Sequence, residues 1–127
     1  MILIDTDIMV DILRGYTPAI ECLTSLGDEE ILLPGFVVMA LIQGCRNKIE
    51  QEKVQRVIED YEVTWPSATA CNEALSEFAQ FRLSHGIGII DILIGQMAVE
   101  LDIPLSAFNQ KHYAPVPNLL TLQPYVK

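Results

Sequence analysis

The chain has 127 residues, half of them hydrophobic and a fifth charged, which suits a single domain over residues 1–127 with one core and excludes a disordered polymer. A formal charge of −9 argues against a non-specific nucleic-acid coat, because phosphate contacts need local positive charge; a locally basic cleft remains compatible with it. No apolar run reaches the roughly 18 residues that span a bilayer, and no basic region with a cleavable apolar segment opens the chain, so a cytoplasmic protein with no membrane partner is expected.

Ile2, Leu3 and Ile4 form a buried-strand run closed by the polar trio Asp5, Thr6 and Asp7. Helical character returns over residues 8–14 and stops at Gly15. Thr17 and Pro18 read as a cap followed by a first-turn proline, and Ile20, Leu23 and Leu26 mark a short helix ending at Gly27. Residues 31–33 form a second strand, broken by Pro34 and Gly35, and a helix follows over residues 37–45. Val54, Val57, Ile58 and Tyr61 keep the spacing of a one-sided helix. A third strand covers residues 63–65. Cys71, Ala74, Leu75 and Phe78 repeat the helical stripe, and after Gly86 and Gly88 residues 89–101 are apolar on nearly every face. Residues 104–108 and 119–122 complete the set as a fourth and a fifth strand. Such alternation predicts right-handed crossovers and an α/β fold with a central, mostly parallel sheet of four to five strands flanked by helices.

Two aspartates stand out. Asp5 closes the first strand run, and Asp91 sits between Ile90 and Ile92 in the most apolar helix. A buried carboxylate is costly unless it is paired or binds a metal, and a divalent cation shared by the two would justify both. The alternative is that each caps a helix and points to solvent. In parallel sheets ligands bind beyond the carboxyl ends of the strands, where strand order reverses; if strands one and four are neighbours, Asp5, Asn109 and the Asp91 helix converge. Mg²⁺ or Mn²⁺ takes hard oxygen ligands and keeps several waters. Asp7 is placed to hold such a water, and Thr6 to orient Asp5 or contact phosphate. Asp11 reads as structural, either facing solvent or paired with Arg14. Cys22, Cys45 and Cys71 are odd in number and widely spaced, and are expected as free, buried thiols. Arg46, Lys48, Lys53 and Arg56 form a basic cluster that suits either a solvated helix face or a substrate groove.

Four segments resemble one family. The run Ile4, Asp5, Thr6, Asp7 through Asp11 to Gly15 resembles the first signature of PIN-domain ribonucleases, and more closely that of VapC-type toxins of bacterial toxin–antitoxin pairs. Residues 39–46, from Met39 to Arg46, stand in the place of the second motif; residues 88–95, around Asp91, in that of the third; and residues 108–113, from Phe108 to Tyr113, in that of the last. The resemblance implies a PIN-like sandwich and a Mg²⁺-dependent endoribonuclease, with Mn²⁺ as a substitute, that hydrolyses RNA phosphodiesters by metal-activated water. It maps the metal-holding acids onto Asp5 and Asp91, a fourth position onto Asn109, and an RNA contact onto His112. It further implies RNA as substrate, a small antitoxin as partner, and a homodimer.

The departure from the pattern is Ala40, where the family's second motif carries glutamate. Its neighbours fit and the acid is missing, which is the mark of a point change in a working enzyme. Loss of that carboxylate is expected to weaken metal binding and to slow catalysis by orders of magnitude. A rival reading follows from the same change: a catalytically degenerate PIN domain kept as an antitoxin- or RNA-binding module. A second rival, a phosphatase of the haloacid-dehalogenase type with Asp5 as nucleophile and Asp7 as acid/base, needs a hydroxyl residue where this chain has Met9.

Overall fold

The computed structural model describes residues 1–127. In chain order the elements are β1 (Ile2–Ile4), α1 (Thr6–Leu13), α2 (Thr17–Ser25), β2 (Ile31–Pro34), α3 (Gly35–Gln43), α4 (Lys48–Ile58), β3 (Glu62–Thr64), α5 (Ala68–His85), α6 (Ile89–Leu101), β4 (Leu105–Ser106), α7 (Gln110–Tyr113) and β5 (Thr121–Leu122). The five strands form one sheet in the order β3-β2-β1-β4-β5, and every pairing is parallel. The chain therefore lays three strands toward one edge, then crosses back to place β4 on the other side of β1. Strand order reverses between β1 and β4, where Leu3 pairs with Leu105 and Ile4 with Ser106. That reversal opens a crevice at the strands' carboxyl ends.

Burial explains the order. All three residues of β1 are buried, as a central strand covered on both faces requires. Leu3, Met9, Leu33, Val37, Ile94 and Leu105 are wholly inside one cluster that joins sheet and helices. Gly35 begins α3 at the only size the site accepts, since a Cβ there would lie 2.2 Å from the Trp65 ring. No helix is long and apolar enough to cross a membrane.

Several local expectations need correction. α1 begins at Thr6 rather than Ile8, because Asp5 caps it by accepting the Thr6 N–H at 2.7 Å. The stripe on α5 is rotated from the expected one: Ala70, Ala74 and Glu77 are buried, while Leu75 and Cys71 face outward. Glu77 is accommodated by Gln96 of α6, whose Nε2 donates to it at 2.6 Å. The first turn of α6 is exposed at Ile89 and Ile90, so only its later part is a core helix. The three thiols are free, but Cys22 and Cys45 are only partly buried and Cys71 is exposed. Residues 110–113, which stand within the last motif, form a single helical turn.

Asp11 is neither solvent-facing nor paired with Arg14. It is nearly buried, accepts the Tyr125 hydroxyl at 2.7 Å and lies 3.1 Å from the Lys127 ammonium. Tyr125 also packs edge-on against Phe108, with ring centroids 4.8 Å apart, and Lys127 sits 4.5 Å from the centre of the same ring. The final segment thus straps α1 to the turn that leads into α7.

Candidate active site

Asp5 ends β1 and starts α1, a junction that fixes both of its carboxylate oxygens. Oδ1 accepts the Thr6 N–H at 2.7 Å, and Oδ2 accepts the Tyr113 hydroxyl at 2.8 Å. The cap is therefore real, but the side chain points inward. Asp91 lies in the first turn of α6, where the helix dipole favours an anion. Asp91 Oδ1 is 3.3 Å from the same Tyr113 hydroxyl. Two acids 86 residues apart in sequence thus meet at one phenolic oxygen.

His112 borders the pair. Its Nδ1 is 3.5 Å from Asp91 Oδ2 and 3.0 Å from the Asn109 Nδ2, with half of the imidazole exposed. Asn109 itself is exposed at the start of α7. Thr6 and Ala40 line one groove of about 760 Å³ between α1, α3 and α4. Arg14, Arg46 and Lys53 edge that groove over an apolar floor that includes Val10, Leu41 and Val54. Lys48 and Arg56 are exposed and lie outside it, so the basic cluster divides between groove and solvated face. Arg46 is engaged by Glu50 through contacts at 2.8 and 3.0 Å. Asp7 is exposed and makes no contact with the pair, although its charge acts on Asp5. Met9 is fully buried in the core and presents nothing to Asp5.

The electrostatics follow from this packing. Burial raises the Asp5 carboxyl above its ordinary range; the Tyr113 and Thr6 hydrogen bonds oppose that shift, and the charges of Asp91 and Asp7 add to it. Burial, then the two carboxylates, push the Tyr113 phenol far upward, so it remains a proton donor. Asp11 moves the other way: the Tyr125 hydroxyl and Lys127 hold its carboxyl below the usual range.

The donor set can be tested against a divalent ion. No group of three or more acidic, histidine or cysteine side chains gathers anywhere in the chain. The protein instead offers two carboxylates aimed at one point, one of them short of solvation. That set fits a hard cation that completes its shell with water, as Mg²⁺ does, and fits poorly an ion needing an all-protein cage. Tyr113 is the site residue that sequence reading missed as an individual. The only signal for it was its place at the end of the last motif.

No family model matches the chain. It is similar to Ribonuclease VapC10 of Mycobacterium tuberculosis, with 29% identity over 114 residues, 89% of this chain and 86% of that protein. Among solved structures it is similar to VapBC-1 from nontypeable Haemophilus influenzae, with a TM-score of 0.79, 20% identity and 98% of both chains covered. It also resembles VapBC2 from Rickettsia felis bound to a DNA fragment from their promoter, with a TM-score of 0.77, 22% identity, and 96% and 98% covered. A toxin–antitoxin complex from Klebsiella pneumoniae gives 0.75, 18% identity and 98% of both chains. These structural likenesses, at such low identity, speak for the fold. In sequence the chain is similar to a ribonuclease of the VapC type, and it shares the fold of the toxins in VapBC complexes.

Proposed function

We propose that the chain is the toxin of a type II toxin–antitoxin pair, an endoribonuclease dependent on Mg²⁺ or Mn²⁺, in a form impaired by alanine at position 40. The observation that carries this reading is the convergence of Asp5 and Asp91 on one hydroxyl at the β1/β4 reversal. The ribonuclease similarity over most of the chain supports it.

A divalent ion bound at the two carboxylates supplies charge to a phosphodiester oxygen and acidity to a water. Asp5 and Asp91 would hold the ion, and the Thr6 N–H keeps the Asp5 carboxylate from turning away. Asn109 and His112, exposed at the rim beside Asp91, contact the RNA phosphate, and Asp7 orients water at the entrance. Position 40 faces the groove that starts at Thr6. A carboxylate there would accept the proton from the attacking water; a methyl group cannot. General-base catalysis is worth about 10²–10⁴-fold, and that is the deficit assigned to Ala40.

An antitoxin partner belongs to the same proposal, supported by the likeness to toxin–antitoxin complexes. The apolar floor and cationic rim of the groove suit an amphipathic segment. Ile89 and Ile90, exposed beside Phe78 and Asp91, offer the apolar surface that a homodimer would cover. A second reading, a binding module without catalysis, is favoured specifically by Ala40 and by the neutral Asn109.

One experiment separates the two. Ala40→Glu is assayed for RNA cleavage with Mg²⁺ or Mn²⁺, with and without chelator, alongside antitoxin binding. A gain of about 10²-fold or more that chelator abolishes is expected. Intact antitoxin binding with no gain in cleavage would favour the module.

A further inference from the structure

Tyr113 is nearly inaccessible, and its ring belongs to the main buried cluster with Leu3, Ile94 and Leu105. Core packing therefore fixes where the hydroxyl points. It points between two acids: Asp5 Oδ2 at 2.8 Å and Asp91 Oδ1 at 3.3 Å. Nothing else touches both. Thr6 reaches only Asp5, and His112, half exposed, reaches only Asp91 and at 3.5 Å. Two anions this close repel, and Asp91 has a solvent side toward which it could turn. One neutral hydroxyl between them, its single proton shared between Asp5 at the shorter distance and Asp91 at the longer one, opposes that separation and leaves the remaining carboxylate lone pairs free.

We propose that Tyr113 is a positioning residue whose hydroxyl holds Asp5 and Asp91 as one facing pair before any cation arrives. The proposal rests on the reading of this pair as a divalent-cation site. Hydrogen-bond partners of metal-binding carboxylates are worth about 10–100-fold in metal affinity. Here the hydroxyl acts on both ligands at once, from a ring that the core has already immobilised.

The test is Tyr113→Phe, which keeps the ring and its packing, made in the present chain and in Ala40→Glu. Mn²⁺ affinity, read from the electron paramagnetic resonance of the free ion without RNA, is expected to weaken about tenfold. Urea midpoints in chelator complete two cycles, pairing Tyr113→Phe with Asp5→Asn and with Asp91→Ala. The shift caused by losing the hydroxyl is expected to shrink in both backgrounds. Unchanged or tighter Mn²⁺ binding in Tyr113→Phe overturns the proposal, as does a midpoint shift that neither aspartate substitution alters. If neither parent takes up Mn²⁺ while both cycles show coupling, the cation reading of the site fails and the hydroxyl's hold on the carboxylates stands.

Discussion

Asp5→Asn should make the protein more stable while removing one of the two carboxylates proposed to hold a cation. The two carboxylate oxygens that share the Tyr113 hydroxyl lie at most about 6 Å apart, and unit charges at that distance repel by about 3 kcal/mol at an effective dielectric near 20. Asp91 has a side chain 30% exposed, so solvent screening reduces this to about half. Asparagine still caps α1, since it ranks with aspartate at that position, and still accepts the Tyr113 hydroxyl. The bond loses its charge-assisted part, about 1 kcal/mol. Relief from burying a charge is added to the remainder. The net gain is about 1–2 kcal/mol, a rise of about 3–8 °C in melting temperature for a chain of this size.

The sign with pH is fixed by the raised carboxyl of Asp5. A carboxyl whose folded pKa exceeds its unfolded value destabilises the fold above the folded pKa, and that penalty disappears as pH falls through it. The gap between Asp5→Asn and the parent should therefore be full at pH 7 and close near pH 4, where the unfolded carboxyl also protonates. Calorimetry in chelator at both pH values measures it. Equal or lower stability of Asp5→Asn at pH 7, or a gap that persists in acid, refutes the account of the site as two strained anions. Excess Mn²⁺ should reverse the order, because a ligand stabilises only the state that binds it.

Tyr125→Phe removes the hydroxyl from Asp11 and should lower stability by about 1–3 kcal/mol at pH 7. Because the Asp11 carboxyl is depressed in the fold, that difference is present above the ordinary carboxylate pKa and shrinks as pH falls through the folded value; urea melts at pH 7 and pH 3 read it. Gly35→Ala drives a methyl group into the Trp65 ring and should cost about 1–3 kcal/mol, with Trp65 fluorescence shifted in the folded state. Ile94→Ala empties a fully buried position and should cost about 2–5 kcal/mol by denaturant midpoint.

The α/β order and the parallel sheet were legible because buried strands read as short continuous apolar runs and their covering helices repeat every three to four residues. Asp5 and Asp91 were legible because a lone acid in apolar sequence demands a reason. What escaped notice depends on partners distant along the chain. Tyr113 acts on Asp5 across 108 positions, and Asp11 finds Tyr125 across 114. Periodicity carries no information at that range. The rotated stripe of α5 has a similar cause: Glu77 is polar by type and turns inward because Gln96 meets it. The start of α1 was misjudged by two residues because one aspartate serves as strand end and helix cap together.

The sheet order has a consequence for synthesis. β1 is made first, yet one of its two neighbours is β4, and the hydroxyl that joins the acids comes from residue 113. Pairings between such remote segments form slowly and late. A ribosome that has made only the first hundred residues carries neither Tyr113 nor the strand that completes the crevice. Until those residues emerge, nothing holds Asp5 and Asp91 as a facing pair, so the two-acid site comes into being only as the last quarter of the chain docks.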